Sequence, residues 1–310
     1  MTYHVPVLLN ETIDALAIRP GGIYLDGTLG GAGHALEIAK RLTGGGHLYG
    51  FDQDEDAIRE ATERLAPYAD RVTIIKENFE NALQCLREQH ITALDGILLD
   101  LGVSSHQFDD ASRGFSYRED APLDMRMDRT GDVSAYTIVN GYSETELFHI
   151  LRDYGEEAFA KNIARHIVMR RQEAPVKTTF ELVDIIDAAI PARVRAKGAH
   201  PAKRTFQALR IACNRELEVL EEVLEPMIDA LTPGGRFCVI TFHSLEDRMV
   251  KRTFKTAEHP CTCPPSFPVC VCGKKPKGKN VFRKAVTASA EELQQNNRAH
   301  SAHLRVFEHT

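Results

Sequence analysis

Short apolar runs alternate with amphipathic stretches through the first hundred residues. Gly22 to Asp26 is a run of Ile, Tyr and Leu bounded by glycines, the pattern of a buried strand. His34 to Leu42 has helical spacing and stops at Gly44, Gly45 and Gly46. His47 to Asp52 reads as a second strand, and Asp54 is placed to cap a helix running to about Leu65. Val72 to Ile75 is a third strand, Glu80 to about His90 a third helix, and Asp95 to Asp100 a fourth strand. This repeat predicts an α/β fold with a parallel sheet covered by helices on both faces.

The pattern breaks after Gly102. Val103 to about Asp132 is polar and loop-like. Helical periodicities follow over Glu144 to Tyr154, Glu156 to Arg171, Thr179 to Ile190 and roughly Ala202 to Cys213, with no strand pattern between them. The β-α pattern then returns. Glu216 to Leu231 is a helix, Thr232 to Gly235 a turn and Arg236 to Phe242 a fifth strand. His303 to Phe307 alternates as a closing strand should, with Phe282 to Thr287 as its candidate neighbour. The expected organisation is a doubly wound core from residues 1–102 and 214–310, interrupted by a mostly helical insertion over 103–213.

Composition refines this picture in three places. No segment approaches the apolar length of a membrane span, and Met1 to Glu11 lacks a basic start followed by an apolar stretch, so a cytoplasmic chain with no membrane partner is expected. The net charge of -6 argues weakly against nucleic acid. Its distribution argues the other way. Between Pro191 and Arg215 the charged residues are Arg193, Arg195, Lys197, Lys203, Arg204, Arg210 and Arg215, with no acid among them. Between Gly273 and Lys284 they are Lys274, Lys275, Lys277, Lys279, Arg283 and Lys284, again without an acid. Of seven cysteines, Cys85, Cys213 and Cys238 sit in apolar contexts and read as core residues.

The first strand runs into Gly27, Gly30 and Gly33, spaced three apart, and then into a helix. Such a turn lets backbone approach a ligand while the helix N-terminus supplies free N–H groups. The spacing differs from the Gly-x-Gly-x-x-Gly of dinucleotide folds, and no Lys-Ser/Thr pair ends it as in a phosphate loop. Asp52 ends the second strand nineteen residues beyond Gly33, where a carboxylate can accept both ribose hydroxyls of an adenosine. Phe79 follows the third strand, where it could pack on an adenine face, and Asp100 ends the fourth.

With these features in view, the chain resembles the bacterial S-adenosylmethionine-dependent 16S ribosomal RNA cytosine-N4 methyltransferases. The resemblance is carried by His4 to Glu11, Asp26 to His34, Gly96 to Ser105, Arg113 to Ser116, Pro122 to Asp128, Tyr154 to Glu157, Arg204 to Arg210 and Phe242 to Arg248, in the family's order along nearly the whole chain. It implies a class I methyltransferase core with a helical insertion. It implies cofactor contacts at Ala32, Gly33, His34, Asp52, Phe79, Asp100 and Gln107. It also implies a target in the decoding centre of the small-subunit RNA, at position 1402. One departure is clear. Many amino-methylating enzymes carry Asp/Asn-Pro-Pro-Tyr after the fourth strand, whereas this chain has Asp100, Leu101, Gly102 and Val103. The catalytic assignment of that tetrapeptide transfers only at Asp100.

The exocyclic amine of cytosine is a poor nucleophile because its lone pair is delocalised into the ring. Alignment with the electrophilic sulfonium methyl, and an acceptor beside the amine, are what an enzyme must add. Asp100 is the first candidate acceptor. Asp124 and His243 are second, the one with a competing role as the partner of Arg126, the other as a satisfied strand-end histidine. Arg193, Arg195, Lys197, Lys203, Arg204 and Arg210 are the candidate RNA contacts. Phe206 or Phe115 could stack on bases, against a packing role for each. Cys261, Cys263, Cys270 and Cys272 offer four thiolates within twelve residues to one zinc. Cys-x-Cys is less typical of zinc than Cys-x-x-Cys, and free thiols or a disulfide are the alternatives. Two other functions compete: a nicotinamide oxidoreductase, which the glycine spacing disfavours, and a non-catalytic RNA-binding or ribosome-assembly factor.

Overall fold

The computed structural model describes residues 6–195, 200–264, 267 and 269–310. By contact the chain divides into two compact units, one formed by residues 1–102 and 217–310, the other by 103–216.

The first unit is built on a seven-stranded sheet. Its strands are β1 (Ile23–Asp26), β2 (His47–Asp52), β3 (Val72–Lys76), β4 (Leu94–Asp100), β5 (Leu231–Thr241), β6 (Gly278–Asn280) and β7 (His303–His309). Their order is β3-β2-β1-β4-β5-β7-β6. Strands β1 to β5 pair in parallel, and β7 runs antiparallel to both β5 and β6. This order with a reversed seventh strand is that of the class I S-adenosylmethionine methyltransferases, as the sequence leads one to expect.

Side chains on a strand alternate between faces, so a run of consecutive apolar residues needs cover on both. Leu98, Cys238, Ile240, Leu304 and Val306 face one core with the helices Leu9–Leu16 and Gly33–Arg41. Ile97, Leu99, Phe237, Val239 and Phe307 face another with the helices Ala82–Glu88, Glu216–Asp229 and Ser244–Glu258. Asp54 caps the helix Glu55–Leu65 as expected, its side chain accepting from the Asp56 amide.

The helices Leu9–Leu16, Ser244–Glu258 and Ala290–Gln295 were not expected, and three further details differ from the sequence reading. Residues Thr232 to Gly235 are not a separate turn before β5. Leu231 already pairs with Leu94, and pairing resumes at Arg236 opposite Gly96, so the partner advances two residues while β5 advances five. The four residues Thr-Pro-Gly-Gly thus stand opposite the single Asp95, a surplus of three bulged out within the strand. The neighbour of β7 is Gly278–Asn280 rather than Phe282 to Thr287, which contributes only the Val286–Leu304 bridge. Finally, the predicted helix from Glu80 opens as a 3₁₀ turn at Phe79–Asn81 before Ala82–Glu88 becomes α-helical.

The second unit has its own core, formed by the helices Ala135–Gly141, Glu144–Asp153, Ala160–Arg171, Thr179–Ala189 and Ala202–Asn214. The first of these was not expected. It is short, and its signal is a capping box in which Ser134 and Thr137 bond each other's amides. The helix Ala202–Asn214 ends where Arg215 turns left-handed, with φ of 51°. Phe115 and Phe206 lie buried in this core. They are packing residues, and the expectation that either stacks on RNA bases is corrected. Among the described residues no helix is long and apolar enough to cross a membrane.

Candidate cofactor site

The C-terminal edge of the sheet is where β1, β2 and β4 release their last residues, and each ends on an aspartate: Asp26, Asp52 and Asp100. Parallel strands in adjacent positions bring such ends together. The turn leaving β1 is held to its neighbours by backbone. Gly27 N–H donates to the Leu98 carbonyl at 2.9 Å and Leu29 N–H to the Phe51 carbonyl at 2.9 Å. Two glycines are sterically required. A Cβ on Gly27 would lie 2.5 Å from the Leu99 side chain, and one on Gly33 would lie 2.0 Å from the Pro6 ring. Between them Ala32 sits at the helix N-cap with φ of 55°, a left-handed conformation that costs an L-residue energy.

The carboxylates differ in how well they are satisfied. Asp52 accepts from Gly30 N–H through Oδ2 and from Asp54 N–H through Oδ1, each at 2.8 Å. Burial nevertheless pushes its pKa up to about 6, with the Asp54 charge adding to the rise. Asp26 accepts from Thr28 N–H at 3.1 Å, and burial together with the Asp52 charge raises it to about 7. Asp100 is pushed furthest, to about 8, by burial and then by the charges of Asp26 and Glu246. Its backbone N–H donates to the Thr28 hydroxyl at 2.6 Å. A quarter of its side chain meets solvent, yet Oδ1 is sealed off and has no partner.

His34 Nδ1 lies 3.7 Å from Asp100 Oδ2. Burial lowers the His34 pKa to about 4, so at neutral pH the imidazole is uncharged and this pair is not an ion pair. Its Nε2 is also buried without a partner. Buried polar atoms are nearly always bonded, so each exception calls for an explanation, a bound ligand or water among them. Phe79 lies beside this edge, its Cβ 3.0 Å from where a Gly27 Cβ would be.

The remaining predicted residues sit elsewhere or are already engaged. Gln107 belongs to the second unit, where its side chain accepts from Ser104 N–H at 2.9 Å in a capping box. Asp124 is gripped by Arg126 through two bonds of 2.7 and 2.9 Å, and Arg126 also donates to the carbonyls of Arg129 and Gly131. Burial would raise the Asp124 pKa, but these bonds hold it below the usual carboxylate range. Its place is as a loop clamp. His243 caps the helix Ser244–Glu258, with Nδ1 accepting from Glu246 N–H at 3.4 Å, while its buried Nε2 lies 3.0 Å from Glu246 Oε1 without a hydrogen bond, as Asp100 Oδ1 and His34 Nε2 also lack one.

Sequence reasoning undervalued Asp26, which it took for the end of a strand. The available signal was an acid closing an apolar run immediately before the glycine turn, where a structural strand end would be apolar or exposed.

The basic stretch is also altered by folding. Arg210 forms a forked pair with Glu216 at 2.8 Å and is only 13% exposed, so the structure contradicts its reading as a phosphate contact. Arg195 lies 3.2 Å from Asp187, and Arg204 donates to the Glu156 carbonyl at 2.9 Å. Arg193 and Lys203 are exposed. Lys197 lies outside the described residues.

The MraW methylase family model matches residues 1–310. The chain belongs to that family. Similar relatives carry the name "Ribosomal RNA small subunit methyltransferase H". The protein from Lachnospira eligens is 62% identical over 98% of this chain and 97% of its own. That from Symbiobacterium thermophilum is 56% identical over 98% and 95%. That from Clostridium botulinum strain Kyoto is 55% identical over 98% and 97%. The family is one of methylases, and the nicotinamide alternative is set aside.

Proposed function

We propose that this protein transfers a methyl group from S-adenosylmethionine to N4 of a cytosine in 16S ribosomal RNA, at position 1402 in the decoding centre of the small subunit. It would do so in the cytoplasm. The observation that carries the reading is the edge formed by Asp26, Asp52 and Asp100 around the glycine turn, where Asp100 Oδ1 and His34 Nε2 are buried without partners. The names of the relatives support ribosomal RNA as the acceptor, and the motif resemblance supports cytosine N4.

The donor set fits the cofactor. S-adenosylmethionine supplies an adenosine, a free amino acid and a methyl group on a cationic sulfur. Asp52 has lone-pair capacity left beside the Gly30, Gln53 and Asp54 amides and would accept ribose hydroxyls. Phe79 would pack on the adenine face. The backbone at Ala32 and Gly33, with His34, would line the turn. Asp100 would accept a hydrogen bond from the cytosine amine, localising its lone pair, and hold the proton that the amine gives up. A carboxyl with a pKa near neutrality suits that task, and a neighbouring cation would favour its ionised form.

Residues 1–102 and 214–310 are thus assigned to the cofactor and 103–213 to the RNA. On the latter, exposed Arg193 and Lys203 are the strongest phosphate contacts, with Arg195 and Arg204 in part committed within the protein. The deciding experiment combines purified protein, tritiated S-adenosylmethionine, and either small ribosomal subunits or naked 16S RNA. Label recovered as N4-methylcytidine at the named position is expected. Label on another base, or cofactor binding without transfer to either substrate, would overturn the reading.

A further inference from the structure

The chain leaves the helix Ser244–Glu258, makes an excursion, and returns into β6, with Lys277 N–H closing the base on the Ala257 carbonyl at 2.9 Å. The described residues of that excursion form no helix or strand between Cys261 and Cys272. Its apolar side chains point outward, with Phe267, Val269 and Val271 all exposed. A loop with no core of its own needs another tie.

The four sulfurs of Cys261, Cys263, Cys270 and Cys272 converge within 4.8 Å of one another. Cys261 to Cys270 is 3.4 Å, Cys270 to Cys272 3.4 Å, Cys263 to Cys270 3.8 Å and Cys272 to Cys261 3.9 Å. A tetrahedron with zinc–sulfur bonds of about 2.3 Å has edges of about 3.8 Å. A disulfide would bring one pair to about 2.05 Å, far closer than any of these contacts. Iron–sulfur clusters spread their cysteines around several iron atoms, whereas these sulfurs surround a single point. Backbone N–H groups are aimed at the sulfurs as well. Val271 N–H donates to Cys263 at 3.3 Å, and the Thr262 and Lys274 backbones bond Cys272. Such donors orient thiolates and offset their charge around a metal.

We propose that Cys261, Cys263, Cys270 and Cys272 bind one zinc ion that ties this loop together. All four positions are filled by protein, so the site is structural and leaves no open place for substrate or water. Zinc uptake releases thiol protons and is coupled to ordering of the loop.

The test uses the full chain, purified without an affinity tag that binds metal and without chelator. About one zinc per chain is expected. The variant Cys261→Ser/Cys270→Ser should lose it, with a lower melting temperature and unchanged S-adenosylmethionine affinity by calorimetry. A mercurial thiol reagent, which needs no variant, should release the zinc in step with titration of the cluster. Cobalt(II) reconstitution should give the charge-transfer and visible bands of a tetrahedral tetrathiolate. Iron in place of zinc, no metal after reconstitution under reducing conditions, or full zinc retention in the double variant would each overturn the proposal. None of these outcomes bears on methyl transfer, which uses no metal.

Discussion

Asp95 and Asp100 stand near the two ends of β4, about 16 Å apart at the rise of a strand, in opposite surroundings. Asp95 is surrounded by donors. Arg19 Nη1 donates at 2.8 Å, Ile23 N–H at 2.9 Å and the Thr232 hydroxyl at 3.1 Å. Asp100 has a sealed oxygen with no partner and an uncharged histidine for a neighbour. One strand therefore carries one carboxylate whose needs are met within the protein and one whose needs are not. Unmet needs cost stability, and a fold retains them where a ligand meets them. The same contrast separates Asp100 from Asp124, which Arg126 satisfies.

The sharpest way to break this comparison is to replace both acids in turn. Asp100→Asn should lower single-turnover methylation by roughly 10²–10⁴-fold, because an amide cannot take the proton. The same variant should stabilise the cofactor-free protein at neutral pH by about 1–2 kcal/mol in urea unfolding, since an amide spares folding the proton uptake that the raised Asp100 pKa imposes. Normal turnover would make Asp100 a positioning group. Asp52→Ala comes next: loss of charged hydrogen bonds should weaken S-adenosylmethionine binding by about 1.5–3 kcal/mol, read by calorimetry. Unchanged affinity in a folded variant would remove Asp52 from the site.

Asp95→Ala should behave as the mirror image of Asp100→Asn. It strips three donors of their acceptor and should destabilise by about 1–3 kcal/mol, while turnover per folded molecule stays the same. A turnover defect there would show that the two ends of β4 are not independent.

The smallest effect is a pH dependence. Asp26, Asp52 and Asp100 have native pKa values of about 7, 6 and 8, above the unfolded value of about 3.9. Over that interval the native state holds protons that the unfolded chain has released, so stability falls as pH rises. His34, lowered to about 4, has the opposite sign, but only below its unfolded value of about 6.5. From about pH 6.5 to about 8 His34 no longer contributes, and these three carboxylates lower stability as pH rises. Cofactor-free protein should lose stability across that window, and Asp100→Asn should flatten the slope.

The core was legible in the sequence because strands buried on two faces must be written as apolar runs, as β1, β4 and the second half of β5 are. The glycine turn and Asp52 were legible because backbone approach and strand ends leave local marks. What escaped depends on contacts across the ends of helices or on single dihedral angles. Arg210 looked free because no acid lies on its helix. The helix ends at Arg215, whose left-handed turn brings Glu216 onto the guanidinium. Asp187, eight residues earlier on the helix Thr179–Ala189, lies 3.2 Å from Arg195. The surplus residues of β5 read as a turn because Pro-Gly-Gly has that chemistry whether it joins two elements or interrupts one.

That bulge has a use. Pro233 and Gly234 are exposed, and they sit at the end of the sheet where Arg19 and Asp95 are tied together, not where Asp52 and Asp100 emerge. The strand has already absorbed extra length there without losing register farther along. For anyone wishing to attach a fluorophore or an epitope, it is a natural graft point, remote from the chemistry and built on backbone whose pairing restarts by itself at Arg236.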